Sequence, residues 1–278
     1  GGAGTGGAGA GGAAAAGTGG AGAGATGTGG AGGAGASACP GAPPSMVALA
    51  LGDAQGKLCI DRTEVTVAEW ETFVASLASG KPKVPATCAA VQLSKRAIVA
   101  GDALDAGVRG VTWCGAAAYC EWAGKRLCGK TVTGATTIDT HDPGGPTDEW
   151  ALACTDGKGA LAQAYPYGNA YVQATCDVDC SSDPSKCHPA APGQYPGCVT
   201  KSGIRDLSGS VSEWTAICDD VQSPKTCLFR GGNFGSNDPV ELGCGQVHGV
   251  GPGFPKGLPT GVGDDPEGVG FRCCAYVP

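Results

Sequence analysis

The sequence predicts a loop-rich domain of few helices and short strands, pinned by disulfides and preceded by an extended arm. Three observations carry this. The sixteen cysteines are even in number and scattered, not gathered into repeated CxxC pairs, the pattern of a disulfide framework formed in an oxidising compartment. Glycine (52) and proline (19) are dense while charged residues make up only 15%, which favours turns over long regular elements. Clear helical periodicity is confined to two short segments. Each disulfide contributes about 2–4 kcal/mol, enough to hold an architecture that its regular elements alone would leave loose.

Along the chain, residues 1–36 contain only Gly, Ala and Thr. With no large side chain to bury and a high backbone entropy to lose, this stretch reads by itself as a linker or stalk. If ordered against neighbours it has two geometries open to it, thin silk-like strands or an extended helix near polyproline II. The low-complexity arm is placed at residues 1–38, a boundary segment marked by Cys39-Pro40 and Pro43-Pro44 at 39–57, and the domain at 58–278.

Within the domain, Thr66-Val67-Ala68-Glu69 has the form of a capping box, in which hydroxyl and carboxylate satisfy reciprocal backbone donors. Val67, Trp70, Phe73, Val74 and Leu77 follow on one helical face, and Gly80 and Pro82 end it. A second helix is expected from Thr112 to Ala123, with Trp113, Ala116, Tyr119, Cys120 and Ala123 inward and Gly124 as its C-terminal stop. All five tryptophans are expected in the core, because a loop-rich fold needs large apolar anchors. Beyond the second helix the density of Gly, Pro and Asp predicts short strands and long loops. Cys218 and Cys227 flank a short Asp/Pro loop and are expected to form a local disulfide, with Cys128–Cys154 as a second expected pair.

The charge balance, 18 basic against 25 acidic residues, gives about −7 without any Lys/Arg run. That argues against nucleic acid as a partner. Three dispersed histidines (His141, His188, His248) argue against zinc. No apolar run approaches the roughly 20 residues of a membrane span. The start at Gly1 rather than Met fits a mature, secreted protein of the extracellular space or cell surface.

Five stretches then occur in order. They are Asp61 to Thr66 (DRTEVT), Trp113 to Leu127 (WCGAAAYCEWAGKRL), Tyr165 to Asn169 (YPYGN), Asp206 to Trp214 (DLSGSVSEW), and the closing pair Phe229 to Phe234 (FRGGNF) and Gly270 to Cys274 (GFRCC). Together, over about residues 58–274, they resemble the formylglycine-generating enzyme (sulfatase-modifying factor) family. The resemblance implies an α+β, C-type-lectin-like fold. Active members of that family oxidise a substrate cysteine with Cu(I) held by two cysteine thiolates downstream of the Arg-Gly-Gly motif. Counted from Arg230, those positions hold Ser236 and Glu241 here. A hydroxyl and a carboxylate are hard ligands and do not suit Cu(I), so no copper and no catalysis are expected.

The resemblance also implies a calcium ion in the DLSGSVSEW loop, bound by the Asp206 and Glu213 carboxylates and the carbonyls of Gly209 and Val211, an all-oxygen set. The rival is a turn whose acids pair with Lys or Arg. A second family site, near Asp177, is not carried over. Two non-catalytic functions are expected, with a copper-dependent formylglycine-generating oxidase as the third alternative. One is a structural subunit joined into a homo-oligomer or filament through residues 1–36. The other is a module that binds a glycan or protein through Arg230, Asn233, Ser236 and Glu241.

Overall fold

Strand β7 (Cys273–Val277), the last element of the chain, is the centre of the domain. It lies between β2 (Lys57–Asp61) and β3 (Arg126–Leu127), antiparallel to both, and β1 (Met46–Ala50) extends the sheet beyond β2. A second sheet has the order β5 (Thr226–Arg230), β4 (Ser212–Asp219), β6 (Val269–Phe271), with β4 antiparallel to β5 and parallel to β6. The structure, a computed structural model, describes residues 1–2, 38–50, 56–80, 82–96, 102–130, 147–159, 162–182, 187–219, 226–246 and 267–277. The chain divides into two compact units, Gly1–Gly35 and Ala36–Pro278, and all these elements belong to the second. The architecture is the expected α+β one; the arm expected at 1–38 lies almost wholly outside the described residues.

The segment at 39–57 is not a mere boundary. Met46–Ala50 alternates exposed and buried residues, as a half-buried strand does, and pairs in register with β2 from Met46↔Asp61 to Ala50↔Lys57. Cys39 is bonded to Cys59 of β2, which staples the entry of the chain to the sheet.

Helix α1 (Val67–Ser76) carries the expected capping box. Thr66 Oγ1 accepts from the Glu69 N–H at 3.3 Å, and Glu69 Oε2 accepts from the Thr66 N–H at 2.8 Å. Helix α2 (Trp113–Trp122) starts at Thr112, whose hydroxyl accepts from the Gly115 N–H, and stops before Gly124, which holds φ +70. Helix α3 (Glu149–Cys154) was not foreseen. All six of its residues are buried, so it has no amphipathic pattern to read; its sequence signal is Asp148 as N-cap, accepting from the Ala151 N–H at 3.0 Å.

All sixteen cysteines form eight disulfides. Cys218 is bonded to Cys227 across β4 and β5. The expected Cys128–Cys154 pair does not form, because each residue faces a partner remote in sequence: Cys128 is bonded to Cys274 and Cys154 to Cys244. Cys273 and Cys274 are adjacent in β7, so their side chains leave opposite faces of the sheet. Cys273 reaches Cys120 of α2, and Cys274 reaches Cys128 after β3.

Those two faces carry separate cores. On the Cys273 side, Trp70, Phe73, Tyr119 and Phe271 pack with ring centroids 5.2–6.5 Å apart. On the Cys274 side, Leu58, Ile60, Trp150, Ile204 and Leu207 pack together. Four tryptophans are buried, as expected, but Trp122 at the end of α2 is 41% exposed.

Candidate functional site

The loop after β5 is held by backbone contacts that only glycine permits. Gly231 has φ +68, and a Cβ there would meet the Leu207 carbonyl oxygen at 2.9 Å; one on Gly232 would lie 2.4 Å from Leu242. Residues Asn233–Ser236 then close a turn on themselves. The Asn233 N–H donates to Ser236 Oγ at 3.1 Å, the Ser236 N–H to the Asn233 carbonyl at 2.9 Å, and the Gly235 N–H to Asn233 Oδ1 at 2.9 Å. Neighbouring loops clamp this turn from both sides. The Phe234 N–H donates to the Ser210 carbonyl, while the N–H groups of Asp179 and Cys180 donate to the carbonyls of Ser236 and Phe234. Arg109 lies over the Phe234 ring, 4.7 Å from its centroid.

Ser236 therefore has its oxygen engaged inside its own turn. Half-buried Glu241 follows in another turn, its N–H donating to the Asp238 carbonyl at 3.0 Å. The nearest cysteine in sequence, Cys244, is bonded to Cys154. Arg230 is not available to a ligand, contrary to expectation. It is fully buried, ion-paired with Asp148, and donates from Nη1 to the Gln246 carbonyl at 2.9 Å. Burial of a guanidinium requires such a partner, and the N-cap of α3 supplies it.

The DLSGSVSEW stretch forms a strained turn leading into β4. Asp206, Gly209 and Ser210 have φ of +59, +88 and +57, a region that non-glycine residues enter only when their surroundings fix them. Glycine is required at 209, where a Cβ would lie 2.2 Å from the Asp177 carbonyl oxygen. The Asp206 carboxylate accepts from the Gly193 N–H at 2.7 Å. Glu213 points elsewhere. Its Oε2 accepts from Arg272 Nε and from Trp150 Nε1, both at 2.7 Å, and its Oε1 from Arg272 Nη2 at 2.6 Å. Arg272 spends its remaining reach on the carbonyls of Asp61 and Arg205, at 3.0 and 2.9 Å.

The four expected calcium ligands, as placed, do not fit a calcium ion. Glu213 has both oxygens committed to a bidentate guanidinium, which also cancels its charge. Among the described residues no three acidic, histidine or cysteine side chains are grouped to hold a metal. The alternative of a turn whose acid pairs with arginine describes Glu213.

Sequence reading missed Glu64, of the TEVT stretch. It is fully buried, and neither of its carboxylate oxygens has a hydrogen-bond partner. Burial, reinforced by the neighbouring Asp206 charge, holds its pKa well above the usual carboxylate range in spite of Arg272. Burial likewise pushes Asp206 up to about 6 against the pull of the Gly193 N–H and Arg272. Glu64 and Asp206 thus lie near a guanidinium already committed to Glu213, and both hold their protons more tightly than a free carboxyl does.

Beside this region is a cleft of about 520 Å³, walled by Gln163, Tyr165 and Asn169 on one side and by Pro239, Val240 and Gln246 on the other. Tyr165 Oη donates to the Pro239 carbonyl at 3.0 Å and the Cys244 N–H to the Ala164 carbonyl at 2.8 Å, which ties the walls together.

This geometry has known counterparts. Residues 53–275 match the sulfatase-modifying factor enzyme 1-like domain, and the chain belongs to that family. Solved structures of similar fold include CarF, with a TM-score of 0.54, 15% identity, and coverage of 84% of this chain and 97% of that one. PvdO from Pseudomonas aeruginosa is similar at a TM-score of 0.50 and 16% identity, over 80% of this chain and 81% of that one. Treponema denticola variable protein 1 is similar at 0.50 and 15%, over 83% and 94%. In sequence, 114 residues are 32% identical to the serine/threonine-protein kinase pkn1 of Chlamydia pneumoniae, 41% of this chain but only 13% of that protein.

Proposed function

We propose that this chain is a non-catalytic, exported structural member of the family, a disulfide-braced domain carried on a Gly/Ala/Thr arm that joins copies into an oligomer or filament. One observation supports the non-catalytic reading above others: every cysteine is in a disulfide, and the two positions expected to bear copper thiolates carry Ser236 and Glu241. The Ser236 hydroxyl closes its own turn instead of facing a metal. Eight disulfides fit assembly in an oxidising compartment. Among the described residues no helix is long and apolar enough to cross a membrane.

Titration of the native protein with Cu(I) tests the first half of the proposal. No stoichiometric binding is expected, and sub-micromolar binding at one site per chain would sink it. Electron microscopy of the full chain against a variant lacking residues 1–36 tests the second. Filaments are expected only with the arm, and equal assembly of both forms removes the arm as the joint.

A ligand-binding reading has its own support in the cleft between Tyr165 and Val240, which is open, polar at its amides and free of charged lining side chains. A glycan array probed with the full chain tests it. Binding weakened by Gln246→Ala supports the cleft, and an array without hits counts against it.

A further inference from the structure

A second concavity lies elsewhere, between α1, α2 and the segment that precedes β1. Tyr119 and Trp122 are three residues apart on α2 and so project from one face of it. Their rings meet at 5.5 Å and 59°. Phe73 backs both, at 5.6 and 5.7 Å, and the Tyr119 hydroxyl reaches the Pro43 carbonyl at 3.3 Å. The result is a pocket of about 280 Å³ with Pro43 opposite the two rings and Glu69 and Thr72 at its rim. Trp122 is the one tryptophan left open to solvent, at 41%, whereas the other four are at most 5% exposed.

The charge of this pocket is one-sided. Glu69 Oε2 is pinned by the N–H and hydroxyl of Thr66 at 2.8 and 2.9 Å, so the carboxylate is held in place. No basic side chain lines the pocket, and among the described residues none forms an ion pair with Glu69. The nearby Lys125 is buried and paired with Asp61 at 2.6 Å. One open indole, backed by the buried Tyr119 ring, and one fixed carboxylate complement an organic cation. Aromatic walls cannot replace the water shell of a metal ion or a compact ammonium. They do suit a weakly hydrated charge dressed in methyl groups. The volume admits such a head group and little more.

We propose that this pocket binds a quaternary ammonium group of the choline type, carried by a small soluble molecule. The cation sits against the Trp122 indole, which Tyr119 supports from behind, with Glu69 as its counter-charge. This site is independent of the loop after β5.

The test is calorimetric titration of the full chain with choline, beside 3,3-dimethylbutan-1-ol, which has nearly the same shape and no charge. Choline is expected to bind saturably, and the neutral analogue about tenfold more weakly. Trp122→Ala is expected to abolish binding; the residue is exposed, so the fold survives. Glu69→Gln keeps the capping box, since Gln caps as Glu does, and is expected to weaken choline several-fold without changing the neutral analogue. Equal binding of the two compounds, no saturable choline binding, or an unaffected Glu69→Gln variant would each overturn the proposal. Sedimentation with phosphatidylcholine vesicles separates the sources of the group. Co-sedimentation lost in Trp122→Ala overturns the soluble carrier in favour of a lipid head group, and its absence alongside choline binding supports the soluble one.

Discussion

The two faces of β7 are packed with different materials. Behind Cys273 the core is aromatic, Trp70, Phe73, Tyr119 and Phe271 meeting ring to ring, with the buried ion pair Lys125–Asp61 beside Tyr119. Behind Cys274 the apolar cluster around Trp150 abuts a charged layer: Arg272 with Glu213, Arg230 with Asp148, and Glu64 without a partner. Apolar burial is non-directional and tolerates exchange of side chains at similar volume. A buried ion pair tolerates loss of neither member, because the survivor is left charged and dry. One face supplies cohesion, and the other fixes which loops meet.

The largest expected effect comes from removing what joins both faces to β7. The Cys120–Cys273 and Cys128–Cys274 bonds close loops of 153 and 146 residues. While either is intact the other closes only the short remaining path between the two helix-side cysteines. Replacing one pair with Ala is therefore expected to cost about 3 kcal/mol, but replacing both about 8 kcal/mol. Chemical denaturation of the three variants measures this, and simple additivity would refute the nested-loop account.

Next in size, Glu213→Gln strands Arg272 and is expected to cost about 3–5 kcal/mol. Phe73→Leu on the opposite face should cost only about 1 kcal/mol. If the order is reversed in thermal or chemical unfolding, the contrast between the faces fails.

The smallest effect is one of pH. Glu64 and Asp206 bind protons more tightly folded than unfolded. Their contribution to stability is thus full below about pH 4, the unfolded value, and declines as pH rises, through about 6 for Asp206 and above the usual carboxylate range for Glu64. Glu64→Gln, which mimics the protonated acid, is expected to flatten the decline and raise the unfolding midpoint at pH 8 above the parent's. A variant whose unfolding midpoint falls with pH as steeply as the parent's would show that Glu64 is not the group responsible.

The aromatic face could be read from sequence, and the charged face could not. Thr66 and Glu69 announce α1, and the spacing of Trp70 and Phe73 gives its inner side. The Cys218–Cys227 bond was legible because its partners flank one turn of chain. Arg272 stands in the closing GFRCC stretch, but its partner Glu213 is 59 residues away and was expected at a calcium ion. Asp148 and Arg230 are 82 apart. Such pairs are set by tertiary placement, which no local pattern encodes. Helix α3 escaped notice for a related reason: a helix buried on every side shows no periodic contrast.

Adjacent cysteines in the final strand also impose an order of events. Neither long staple can close until β7 has been made, 153 and 146 residues after Cys120 and Cys128, which must wait until then, reduced or provisionally mispaired. Exchanging their partners would aim each sulfur at the wrong side of the sheet. Correct pairing is therefore expected to need reshuffling of early disulfides, and loss of β7 would release both clamps at once.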